Sequence, residues 1–197
     1  MQIKNVHIHL VNSALGAAIL AGIMAGNTPE AETPEPASQS GIVIPAIGEY
    51  WPGQGGIYAG KGRGRDGLRD HHLILATDPA SIFNKRMVGT YGIDVTGATS
   101  DHNGPANTLA LAEAGSELCK EIIGLEIEGH KDFYLMSRTD AQLCWANVPE
   151  QFEKEWYLTS TQFSSDTAWL QGFGNGYTYY YGKKYGGRAR ACRRLFL

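Results

Sequence analysis

A chain of 197 residues with 43% hydrophobic and 19% charged side chains describes one globular domain with an appendage rather than two domains. Its net charge of −3 supplies no field that would draw a polyanion, so composition argues against a nucleic-acid partner. The three cysteines, Cys119, Cys144 and Cys192, are odd in number and lack metal-ligand spacing, which predicts buried free thiols in a protein made in a reducing compartment.

In chain order, residues 2–11 alternate as a strand, with Val6, Ile8 and Leu10 on one side and His7 and His9 on the other. Ala14 to Gly26 is an uncharged small-residue run of 13 residues, short of the roughly 20 needed to cross a membrane. Ala14, Ala18, Gly22 and Gly26 fall four apart and would form a smooth helical strip that lets a neighbouring helix approach closely. Residues 1–26 therefore read as an attachment or oligomerisation arm, with a signal-peptide core or a plain core helix as alternatives. Pro29, Pro34 and Pro36 among Glu, Thr and Ser make 27–40 a linker.

The domain proper spans 41–197. Ile42-Val43-Ile44, Gly56 to Gly60 and His72 to Ala76 read as short strands, and Lys61 to Asp70 as a charged, glycine-rich turn. The glycine-rich stretch Tyr91 to Gly104 is expected to be a long loop that is functional or serves as packing cover. Asn107 to Ile123 carries one helical stripe, Leu109, Leu111, Ala112, Leu118, Cys119, Ile122 and Ile123. Phe133 to Met136 is a strand, Ser137 or Thr139 caps a second helix, and Pro149 ends it. From Trp156 onward come three or four short strands, closing on Arg188, Arg190, Arg193 and Arg194, whose alternation suits pairing with carboxylates across a sheet. The fold class is α+β, with two helices and short antiparallel strands behind a strand/helix arm.

The order and spacing of six segments resemble one known family. They are Gly55-Gly56-Ile57-Tyr58, His72 to Ala76, Asn107-Thr108 with Cys119, Asp132 to Arg138, Trp156 to Thr161 with Ala168-Trp169, and Arg188 to Arg194. Together they are similar to the Lcl C-terminal family, a C-type-lectin-like domain found in phage tail fibres, receptor-binding proteins and bacterial surface adhesins. Met136 departs from the proline common in the family's Trp-Tyr-Leu-Pro-Ser run, and Cys192 from its usual valine. The resemblance implies a phage tail receptor-binding protein, located in the virion, that recognises a host cell-surface receptor through C-terminal loops. Its arm would hold other tail or baseplate proteins. A bacterial secreted or surface adhesin with the same domain is the alternative, and a formylglycine-generating type of enzyme, which needs a reactive cysteine pair, is a further one.

Aromatics beside Gly, Asn and Ser give large contact area at low entropic cost. The displayed surface is expected from Trp169, Gln171, Asn175, Tyr177, Tyr179, Tyr181, Lys183 and Lys184, while Trp145 and Trp156 are expected in the core. Strand alternation splits Tyr177, Tyr179 and Tyr181 from Thr178 and Tyr180, so one of the two sets is expected to pack inward. Weak contacts on single rings favour several copies engaging at once, hence a homotrimer.

No chemistry or cofactor is expected. The hydroxyls of Thr159, Ser160 and Thr161 have no triad partner nearby in sequence and suit backbone hydrogen bonding instead. Asp94, Asp101 and Asn103 offer some oxygens for calcium without a ligand signature. In a three-fold assembly His7 and His9 would resemble the iron sites of some phage fibres, but without further support they read as solvated, and no metal is expected.

Overall fold

The computed structural model describes residues 42–196, and Ile42–Leu197 forms one compact unit. The arm at 1–26, the linker at 27–40 and the His7/His9 pair lie outside the described residues.

Among the described residues the architecture is mixed α+β: three α-helices and a nine-stranded sheet. Its centre is β9 (Gly187–Leu195), the longest strand. Strand β3 (His71–Ala76) pairs with it antiparallel through Leu73↔Arg194 and Leu75↔Cys192. The two-residue β5 (Tyr134–Leu135) pairs through Tyr134↔Cys192, and β4 (Ile82–Arg86) through Phe83↔Ala189. At its start β9 meets β6 (Trp156–Gln162) in the one parallel pairing, Tyr157↔Arg188. Beyond β3 lie β2 (Gly56–Gly62) and β1 (Tyr50–Trp51). Beyond β6 a meander of β7 (Thr167–Gly172) and β8 (Thr178–Gly182) carries the sheet to its other edge.

So many neighbours fit around β9 because its side chains are either very small or long and fully bonded. Ala189, Ala191 and Cys192 are completely buried. Arg193 grips Asp132 with both ends of its fork, at 2.8 and 3.1 Å, and donates to Gln54 Oε1 at 2.6 Å. Arg194 donates to Tyr134 Oη at 2.9 Å, to Asp140 Oδ1 at 3.3 Å and to the His102 carbonyl. Carboxylate pairing expected of the arginines thus holds for two of them. Arg190 donates instead to the carbonyls of Ala76 and Gln151, and Arg188 to Asn84 Oδ1.

Helices cover both faces. Ala189, Ala191 and Leu135 pack with Leu111 of α1 (Gly104–Glu113) and with Leu118 and Ile122 of α2 (Glu117–Ile123). Leu73, Leu75 and Cys192 pack with Ala141 and Cys144 of α3 (Arg138–Asn147) and with Val148, Tyr157, Phe152 and Phe173. One expected helix is therefore two. Gly115 at φ +97 turns the chain, and Ser116 caps the new start by accepting from the Cys119 amide at 3.3 Å. Ile42 to Ile44 is not a strand: no neighbouring strand pairs with it, and Val43 is almost fully exposed. All three thiols are free and buried, as expected.

Ser137 caps α3 in a reciprocal box with Asp140, its hydroxyl and amide both donating to Asp140 Oδ2, at 2.6 and 3.0 Å. Burial pushes the Asp140 carboxyl up, but His71, Arg194 and the two Ser137 donors outweigh it and hold the group below its ordinary value. A carboxylate with a lowered folded pKa stabilises above its unfolded value, near 3.9, and loses that contribution as pH falls through the folded one. Asp140→Asn should cost about 3–5 kcal/mol at neutral pH by stranding a buried guanidinium. The deficit, read by urea unfolding, should shrink below about pH 4. A loss under about 1 kcal/mol would mean that carbonyls alone satisfy Arg194.

Candidate binding surface

The surface is built on the β7–β8 hairpin. Phe173 enters the core at the hairpin's tip, stacked on Phe152 at 3.7 Å and edge-on to Tyr157 at 5.1 Å. The chain then turns through Gly176, at φ +76, whose backbone lies directly against the Trp145 ring and leaves no room for a Cβ. Asn175 Oδ1 accepts from the Tyr177 amide at 3.1 Å, fixing the exit into β8.

Strand β8 pairs only with β7 and so forms an edge of the sheet. The expected division of its tyrosines into an inner and an outer set does not occur. Tyr177, Tyr179, Tyr180 and Tyr181 are all exposed, and the rings of Tyr179 and Tyr180 stack on each other at 5.2 Å.

On one face the register sets Tyr179 opposite Leu170 and Tyr181 opposite Ala168. Here the two tyrosines, Leu170 and Trp156 line a cleft of about 680 Å³. Asn84, Lys85, Glu155 and Arg188 form its polar rim, with Gly186 and Gly187 as backbone wall. That wall is held closely: a Cβ on Gly186 would sit 3.0 Å from the Lys85 backbone. Trp156, expected in the core, is instead 39% exposed in this cleft, because it opens β6 before that strand enters the core at Tyr157.

On the other face Trp169 stands opposite Tyr180. Phe163 stacks on Tyr180 at 4.2 Å, and Trp169 meets both rings edge-on at 5.2 and 5.5 Å. The Arg138 guanidinium lies 3.7 Å above Trp169, so that ring is half-buried and its face is taken. Lys184, exposed, sits over Tyr91 and Tyr185.

Two expected surface residues are internal. Gln171 is 1% exposed, and its amide donates to the carbonyls of Gly172 and Tyr177 at the hairpin's end. Lys183 is also 1% exposed; its ammonium donates to the Ile93 carbonyl at 2.7 Å and to Gln162 Oε1 at 2.5 Å. It thereby fastens the 91–95 loop to the sheet. Of the eight expected residues, Tyr179 and Tyr181 share the cleft, while Trp169, Asn175, Tyr177 and Lys184 lie outside its lining. The residues missed are Trp156, Asn84, Lys85, Glu155 and Arg188. Only Trp156 carried a local sign, an aromatic flanked by charged residues on its N-terminal side.

The remaining candidates for chemistry are engaged structurally. Thr159, Ser160 and Thr161 donate to the carbonyls of Trp169, Met136 and Ser100, as expected. Asp94 accepts from Gln162, Asp101 pairs with Arg138, and Asn103 caps α1, so these three do not converge on one point. Among the described residues no group of three or more His, Cys, Asp or Glu could hold a metal ion. Burial pushes the Cys119 thiol up to about 11, and those of Cys144 and Cys192 higher still, the opposite of what activates a nucleophile. No described helix is long and apolar enough to cross a membrane. Comparison of the chain with protein-family models finds no match, and a search among curated proteins finds no similar sequence.

Burial lowers the Lys183 pKa, against the pull of Asp94 and Asp166. A lysine whose folded pKa is depressed makes stability rise with pH between that value and its unfolded one, near 10.4, because the unfolded chain then holds more protons. Lys183→Met should remove that alkaline rise in urea unfolding. It should also cost about 1–3 kcal/mol at neutral pH by leaving the Ile93 carbonyl without its donor, while Gln162 Oε1 keeps the Val95 amide, with no change in ligand binding at the cleft.

Proposed function

We propose that this chain is a receptor-binding protein of a phage tail, and that residues 41–197 are a C-type-lectin-like domain which recognises a cell-surface glycan in the Trp156/Tyr179/Tyr181 cleft. The observation that carries the reading is the cleft itself, three exposed aromatic side chains on a fixed sheet with hydrogen-bonding groups only at the rim. A sugar ring has an apolar face and a polar circumference. Aromatic floors accept the first, and Asn84, Glu155, Lys85 and Arg188 are of the kinds that bond hydroxyls at the second. Tyr179 and Tyr181 lie on β8 and Trp156 on β6, strands held in place by their neighbours, so little ordering entropy opposes binding.

Each ring contact contributes only about 0.5–1.5 kcal/mol beyond its buried area. A single domain would therefore bind weakly, and useful adhesion needs several domains on one assembly. A homotrimer joined to other tail proteins through residues 1–26 supplies that multiplicity. A bacterial surface adhesin would use the same cleft, and locating the protein in virions or on cells separates the two.

The Tyr179→Ala/Tyr181→Ala chain should lose at least about tenfold in binding to host cells and to their isolated surface polysaccharide, two ring contacts being removed. Tyr50→Ala, on the exposed strand at the other edge of the sheet, should leave binding within about twofold. Circular dichroism verifies the fold in each. Undiminished binding by the double variant would overturn the cleft as the receptor site.

A further inference from the structure

Strand β4 does not run regularly along β9. The pairing begins with Ile82↔Arg190 and Phe83↔Ala189 and resumes one residue out of step at Arg86↔Gly187. Between those points two residues, Asn84 and Lys85, face one, Arg188, which makes a β-bulge. Lys85 takes a left-handed backbone conformation there, φ +54, which glycine adopts freely and lysine does not. Regular alternation would send the Lys85 side chain to the side of Phe83, which is buried. With the extra residue in the strand, Asn84 and Lys85 are both exposed, and both line the aromatic cleft with Arg188.

The bulge therefore sets two cationic residues opposite each other on neighbouring strands. Their repulsion disfavours the arrangement unless an anion joins them. The fold supplies none. Arg86, Arg193 and Arg194 are paired with Glu121, Asp132 and Asp140, whereas among the described residues neither Lys85 nor Arg188 forms an ion pair. The partner of Arg188 is neutral: its Nη1 donates to Asn84 Oδ1 at 3.0 Å, which orients the guanidinium without cancelling its charge. Glu155 is the one carboxylate lining the cleft, so the rim carries two positive charges and one negative. A lysine kept in a strained conformation beside a second unmatched cation points to a ligand that meets both.

A neutral sugar would leave the excess positive charge unmatched. A doubly charged phosphomonoester would exceed it and be repelled by Glu155. One negative charge balances the rim. We infer that the cleft selects an acidic glycan, whose ring rests on Trp156, Tyr179 and Tyr181 while its carboxylate or sulfate ester is held by Lys85 and Arg188. The inference rests on the reading of the cleft as a glycan site and adds the chemical class of that glycan.

The test measures binding of the full chain to isolated host surface polysaccharide by biolayer interferometry. Carbodiimide-mediated reduction turns carboxylates into primary alcohols, and solvolysis removes sulfate esters. One of these treatments should weaken binding about tenfold or more, and the one that does so identifies the anion. Lys85→Gly relieves the backbone, so it should unfold at no lower a temperature while binding the untreated polysaccharide about fivefold more weakly. Glu155→Gln should bind about threefold more tightly, a gain that misfolding does not produce. Binding unchanged by both treatments, unchanged by Lys85→Gly, or weakened by Glu155→Gln would each overturn the acidic class. If the Tyr179→Ala/Tyr181→Ala chain has meanwhile lost binding, the cleft stands and only the class falls; if that chain binds fully, the cleft falls and the class with it.

Discussion

One buried ion pair, Arg194 with Asp140, sets the arrangement of everything around it. A guanidinium 6% exposed must have its donors met, and here they go to a carboxylate, a tyrosine hydroxyl and a carbonyl. That same carboxylate completes the capping box of α3. One side chain therefore joins the central strand to the start of the helix that covers it. With its first turn fixed, α3 runs across β6 and β7, placing Arg138 over Trp169 near its beginning and Trp145 against Gly176 near its end. The β7–β8 hairpin is held at two points by a helix that is itself anchored through β9. The tyrosines of the cleft inherit their positions from a charge pair on another strand.

This dependence explains what could be read from the sequence. Strands were legible where alternation or an apolar run met a turn signal, as at His72 to Ala76 and Trp156 to Gln162, because the pleat imposes that pattern locally. The α+β class followed from those segments. The division of the expected helix at Gly115-Ser116 carried a usable sign, a glycine before a capping serine, that the apolar stripe running through both halves concealed. Ile42 to Ile44 has strand composition and no strand partner, and pairing is a property of the whole sheet.

The site was half legible for the same reason. Tyr179 and Tyr181 stood out as rigid aromatics near glycines, but that β8 lies at an edge depends on the order of all nine strands. Tyr179, Tyr180 and Tyr181 are exposed on both faces of that strand, which abolishes the inner set that alternation implied. Lys183 and Lys184 are indistinguishable by type, yet one reaches under the 91–95 loop to two buried acceptors and the other lies over surface tyrosines. Side-chain direction at the end of a strand decides between them. Trp156 and Tyr157 likewise differ by one position on a strand, and therefore by which face each ring occupies.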